Sequence, residues 1–148
     1  MRAAEILYAL GERDMLASIY AELGESATDI AGMAVLGEFA GKQGDGRAML
    51  LLGESAYARG LPLDYYAYPT VGLPDYQPIA PPIEAAVAYS IARQESHFNQ
   101  KVVSTAHAMG LMQVTPAAGI DTAAKFKVVY NRDRLLKDPV YNLSLIHI

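Results

Sequence analysis

The sequence predicts an all-α protein whose leading part is an α-solenoid of helix pairs. Apolar residues recur at helical spacing through its first 60 residues. Two glycine-marked turns, Gly11-Glu-Arg-Asp and Gly44-Asp-Gly-Arg, lie about 33 residues apart and each precedes an apolar helix, a period of the tetratricopeptide size class. A proline- and tyrosine-rich stretch then interrupts the chain, and helical patterning resumes beyond it. The predicted organisation is the end of a superhelical domain over 1–60, a connector over 61–82, a partial second domain over 83–142 and a tail over 143–148.

The elements follow in order. Ala3 to Leu10 reads as a first helix. Arg13 to Leu23 is a second, with Leu16, Ile19, Tyr20 and Leu23 on one face. Asp29 to Ala40 is a third, with Met33, Leu36 and Phe39 in register and Thr28 or Asp29 as N-cap. Arg47 to Ala58 is a fourth, ended by Gly60 at a C′ position and by Pro62. Residues 61–82 carry six prolines and four tyrosines, which exclude a regular helix. Tyr65, Tyr66, Tyr68 and Tyr76 are expected to pack between the domains, with sugar stacking by one of them as the alternative. From Ile83 the chain returns to helix, with Pro82 suited to the first turn, and Ala85 to Ser96 runs about three turns. Asn99 to Gly110 is a loop. Pro116 opens a helix to Phe126, Asn131 to Leu136 forms a short helix or turn, and Asp138-Pro139 starts the next element.

Composition narrows the function. A 52% hydrophobic chain of 148 residues can build a packed core. Net charge is −4 and no Lys/Arg run stands out, so a nucleic-acid partner is not expected. No cysteine is present, which excludes disulfides and thiol nucleophiles. The three histidines lack a metal-ligand spacing, and no apolar stretch is long enough to span a membrane, so neither a metal, a cofactor nor a membrane span is expected. The opening MRAAEILYAL has no secretory pattern, leaving either a cytosolic protein or a chain that does not begin at its natural start.

The chemistry centres on Glu95. Val87, Ile91 and Glu95 share one face at i, i+4, i+8, so a carboxyl stands where the helix otherwise turns apolar side chains. It also lies in the last turn, where the helix dipole is negative. Burial and that dipole both disfavour the charged form, which is how a glutamate is kept protonated to deliver a proton. The plainer alternative is a solvated glutamate at a helix end.

AYSIARQESHFN, then STAHAMGLMQVTPAAG, then DPVYN, resembles the soluble lytic transglycosylase family, peptidoglycan-cleaving enzymes with a goose-type-lysozyme-like catalytic domain. That family carries a helix ending in E-S, an S-x-A-x-A-x-G loop, G-L-M-Q, a T-P or M-P helix start and a later D-P-x-x-N, all present here in order. Its soluble members precede this domain with a long α-superhelix and a Tyr-Pro-containing connector. The resemblance implies that Glu95 is the catalytic acid and that Ser96 holds its carboxyl or contacts substrate. It implies that Gly110, Leu111, Met112 and Gln113 line a saccharide groove, with Gln113 bonding sugar and Met112 as an apolar wall. For Leu111 and Met112 core packing is the competing reading, and for Asp121, Asp133 and Asp138 a structural role is expected. The implied partners are peptidoglycan glycan strands, the implied compartment the periplasm, and no cofactor is implied. The implied reaction breaks the bond between N-acetylmuramic acid and N-acetylglucosamine and closes a 1,6-anhydro ring. A water-using hydrolase of the same fold and a non-enzymatic helical scaffold are the alternatives.

His107 departs from the small residue the family favours there, in a loop expected to need an unusual backbone angle that histidine tolerates. Phe98 is expected in the core, His97 at the surface, and Ser104 bracing the loop. The family's later A-Y-N-A-G motif is not found in the sequence, so the 148-residue chain is expected to be nearly inactive alone. The closing LSLIHI matches one reading frame of a transposon-end sequencing adapter, and 143–148 is read as non-native.

Overall fold

The computed structural model describes residues 1–146; His147 and Ile148 lie outside them. The described residues form eight α-helices and one 3-10 turn, with no β-strand, so the all-α expectation holds. The chain divides into two compact units, one ending at Gly72 and the other beginning at Leu73.

The first unit is two helix pairs. α1 (Arg2–Leu10) and α2 (Arg13–Ser26) meet at Gly11, α3 (Ile30–Lys42) and α4 (Gly46–Ala58) at Gly44, and both glycines are left-handed, with φ of 76° and 63°. The repeat legible in the turns is therefore a repeat of backbone geometry. Asp29 and Asp45 cap α3 and α4 by accepting the amides of Gly32 and Ala48, each at 3.0 Å. Leu16, Tyr20, Met33 and Leu52 are almost wholly buried between the pairs. Each contributes roughly 2 kcal/mol through burial.

Close approach depends on glycine. A Cβ on Gly24 would lie 2.7 Å from the Leu52 carbonyl oxygen, so α2 and α4 touch backbone to backbone there. Arg59 reinforces the contact by donating to the Gly24 and Ala27 carbonyls, at 2.8 and 2.9 Å, at the end of α2. The stretch after α4 folds onto the same unit. Leu63, Tyr66 and Ala67 are buried, in and beside the 3-10 turn Asp64–Ala67. The Tyr66 ring lies over Gly37, and its hydroxyl sits 3.0 Å from the Ala34 oxygen and 3.1 Å from the Glu38 carboxylate. Burial and Glu38 push that hydroxyl up to about 12. Tyr65 and Tyr68 are exposed, so of these three only Tyr66 packs, and it does so within the first unit and not in the interdomain role expected of it.

The second unit holds α5 (Ala85–Ser96), α6 (Pro116–Phe126), α7 (Arg132–Lys137) and α8 (Pro139–Ser144). α5 spans the Ala85 to Ser96 expected of it, but Pro82 is not in its first turn. Glu84 is extended, at φ −61° and ψ 141°, so Ile83 and Pro82 precede the helix. Pro116 and Pro139 do occupy first-turn positions, behind the caps Thr115 and Asp138. Met109, Leu135, Tyr141 and Leu145 form a core. Leu143 and Leu145 are buried, and the Ile79 amide donates to the Ser144 oxygen at 3.3 Å, so residues read as a tail serve this core.

Candidate active site

α5 places Glu95 differently from the spacing argument. The inward stripe is Ala88, Ala92 and Ser96, at i, i+4, i+8; Val87 and Ile91 are only half-buried, and Glu95 is exposed. Small side chains let a helix sit close to its neighbours, so alanines rather than the larger aliphatics mark the inward face. Glu95 is turned one residue away from that stripe. It lines an open hollow of about 380 Å³ with Ala86, Val87, Ser90, Ile91 and Gln94, all from α5. The burial inferred from sequence is thus not supplied by α5.

Ser96 is buried, and its hydroxyl donates to the Ala92 carbonyl at 3.1 Å. This is helix-end bonding and not support for the neighbouring carboxyl. Beyond it the chain reverses through two consecutive left-handed residues, His97 at φ 49° and Phe98 at φ 59°. The Phe98 amide donates back to the Ala92 carbonyl at 3.2 Å, the long-range bond of a Schellman ending. Phe98 is buried as expected, 6.2 Å from the Tyr89 ring.

The loop that follows is braced as expected. Ser104 Oγ accepts the Ala108 amide at 3.0 Å, while the Ser104 carbonyl accepts the His107 amide at 2.9 Å. His107 is exposed with φ 60°, the unusual angle predicted for it. Met109 bridges to both Val103 and Val114, which closes the loop into a tight double-backed segment.

Gly110 to Gln113 form the turn between those bridges. Gly110 has φ 78°, and a Cβ there would overlap Asn142 Nδ2 and the Leu135 oxygen. Leu111 and Met112 are buried at 3% and 7% exposure, so their side chains pack in the core and offer little wall to a ligand. Gln113 is half-buried at φ 46°, and its side-chain nitrogen donates to the Gly110 and Val102 oxygens at 3.0 and 3.3 Å.

Two side chains not assigned from sequence hold this turn. Asn142 is fully buried: its Oδ1 accepts the Met112 amide at 2.8 Å, and its Nδ2 donates to the Met109 and Leu135 carbonyls at 2.8 and 2.9 Å. Gln100 repeats the pattern one residue earlier. Its Oε1 accepts the Leu111 amide at 3.2 Å, and its Nε2 donates to the same Leu135 carbonyl at 3.0 Å. Asn142 was signalled as the last residue of D-P-x-x-N; nothing in the sequence pattern signalled Gln100. Asp138 caps α8 by accepting the Tyr141 amide, and Arg134 donates to its other oxygen at 2.8 and 3.0 Å. The structural role expected for Asp138 is the role it has. Among the described residues no cluster of acidic, histidine or cysteine side chains could hold a metal ion.

The second unit thus carries a Glu-Ser helix end, a strained G-L-M-Q turn and a D-P-x-x-N cap bonded to that turn. Residues 79–145 match the family model described as Transglycosylase SLT domain. The soluble lytic murein transglycosylases of Escherichia coli K12 and O157:H7 are each 39% identical over 64 residues, covering 43% of this chain and 10% of theirs. The chain thus spans about a tenth of the length of the curated relatives it matches. The crystal structure of the 70 kDa soluble lytic transglycosylase of E. coli superposes with a TM-score of 0.66 at 24% identity. That match covers 94% of this chain and 22% of the other, and it establishes the all-α fold.

Proposed function

We propose that the second unit contributes the acid–base carboxyl of a peptidoglycan lytic transglycosylase, with Glu95 acting alone. In this reading the protonated Glu95 gives its proton to the oxygen joining N-acetylmuramic acid to N-acetylglucosamine. The C1–oxygen bond breaks and the N-acetylglucosamine leaves with a hydroxyl. The Glu95 carboxylate then takes the proton from the C6 hydroxyl of the muramoyl residue as that oxygen bonds to C1. A 1,6-anhydro ring forms, Glu95 is protonated again and no water is consumed, unlike the usual paired-carboxylate scheme. The glycan strand lies against the turn Gly110–Gln113, in the periplasm.

The observation that carries the reading is physical linkage between motifs. D-P-x-x-N and G-L-M-Q are distant in sequence, yet Asn142 bonds directly to the Met112 amide and the Met109 carbonyl. A scaffold has no need of a strained turn fixed in that way. One observation favours a hydrolase as the second reading: Glu95 is exposed to solvent, and a water near it would compete with the C6 hydroxyl.

The test is a chimera in which residues 79–145 replace the matching segment of the E. coli relative. Mass spectrometry of its muropeptide products is expected to show anhydro ends that vanish in Glu95→Gln. Reducing ends would establish the hydrolase, and activity retained by Glu95→Gln would remove Glu95 from its role.

A further inference from the structure

We infer that Gln100 and Asn142 form a paired amide clamp that presets the Gly110–Gln113 turn for saccharide, with Asn142 as its positioning residue. This rests on the reading of that turn as a saccharide-contacting segment. The two side chains do the same thing to consecutive residues. The Gln100 carbonyl oxygen accepts the Leu111 amide and the Asn142 carbonyl oxygen accepts the Met112 amide. Their nitrogens converge on one acceptor, the Leu135 carbonyl. A primary amide is the side chain that can accept from one backbone group and donate to another on the same plane.

The clamp orients a segment that would not hold its shape unaided. Gly110 and Gln113 both sit in the left-handed region, and for glutamine that conformation is disfavoured. With the Leu111 and Met112 amides turned inward to the clamp, their side chains buried and the Gln113 nitrogen tied to Gly110, the backbone has one arrangement. Asn142 also occupies the space a Cβ on Gly110 would need, so the glycine and the asparagine are fitted to each other. Neither clamp residue need touch substrate; each acts through the turn.

Asn142→Asp tests this with almost no change of shape. The acceptor for Met112 stays, while the donor to Met109 and Leu135 becomes an oxygen facing two carbonyls. The readout is the movement of the Met112 and Gln113 amide resonances of the 148-residue chain during titration with a β-1,4-linked N-acetylglucosamine oligomer. Wild type is expected to show saturable shifts, and Asn142→Asp to bind about tenfold more weakly or worse. Tyr141→Phe, on the same helix, loses the bonds that the Tyr141 hydroxyl makes to Asn131 and Val129 and serves as the stability control. It is expected to keep wild-type affinity. Gln100→Glu makes the same donor-to-acceptor swap at a half-buried position and carries the test if Asn142→Asp does not fold. A folded Asn142→Asp, or failing that Gln100→Glu, with wild-type affinity overturns the clamp. So does a Tyr141→Phe loss as large as that of Asn142→Asp. Absence of shifts in every protein, wild type included, instead removes the saccharide reading of the turn on which the clamp's role rests.

Discussion

Asp138 accepts the Tyr141 amide at one oxygen and the Arg134 guanidinium at the other, which joins the start of α8 to α7. The Tyr141 backbone bond, then Arg134, holds its carboxyl below the ordinary range. A carboxyl lowered on folding adds stability that is present above its unfolded value and is lost as pH falls through its folded one. The second unit is therefore expected to lose stability as pH drops through and below the ordinary carboxylate range, and Asp138→Asn to flatten that acid limb in thermal melts at a series of pH values. An unchanged limb would place the acid sensitivity elsewhere. Gly110 carries a second prediction at this scale. Gly110→Ala puts a methyl group against Asn142 and Leu135 at a left-handed φ, and is expected to cost about 3 kcal/mol, read from chemical denaturation. Residue identities were legible where chemistry is local: caps, first-turn prolines and the angle at His107 all follow from a few neighbouring residues. Burial was not. Asn142 meets Met112 from 30 residues away, and Gln100 meets Leu135 from 35.

At the scale of elements, α5 shows why periodicity alone misplaced Glu95. A sequence reading weighs side chains by size, so Val87 and Ile91 seemed to define the inward face. The neighbouring elements leave room only for Ala88, Ala92 and Ser96 on the buried side. The place of Pro82 was misread too: it suits a first turn, but Glu84 stays extended and the helix runs only from Ala85. In the first unit the elements are fitted through glycine. A Cβ on Gly53 would run into the backbone of Tyr66 and Ala67, so α4 and the following 3-10 turn are in direct contact. Gly53→Ala is expected to destabilise the first unit by roughly 1–3 kcal/mol despite its better helix propensity, and a stabilised variant in calorimetry would contradict that contact.

For the whole molecule, the sequence showed the class of fold and the interruption in the chain, because helical periodicity and proline content are properties of long stretches. The ordered motifs also pointed to the family whose model matches residues 79–145. The exposure of Glu95 was not legible, because it depends on what surrounds α5. A general acid works best where water is excluded. Glu95 stands exposed on a hollow lined by α5 alone. The 148-residue chain is therefore expected to release muropeptides at a small fraction of the chimera's rate in a dye-release assay on labelled peptidoglycan. Equal rates would mean that α5 and its own unit suffice.

The alanine stripe of α5 also acts as a spacer of fixed thickness. Ala88 and Ala92 are 2% and 0% exposed, so the smallest chiral side chains set how near the helix axis lies to the rest of its unit. Any added carbon at either position would lift α5 and carry Glu95 outward with it, without touching the carboxyl. Substitution on the exposed face of α5 is therefore expected to be tolerated better than enlargement of Ala88 or Ala92. Anyone redesigning the reach of Glu95 has there a dial graduated in single methyl groups.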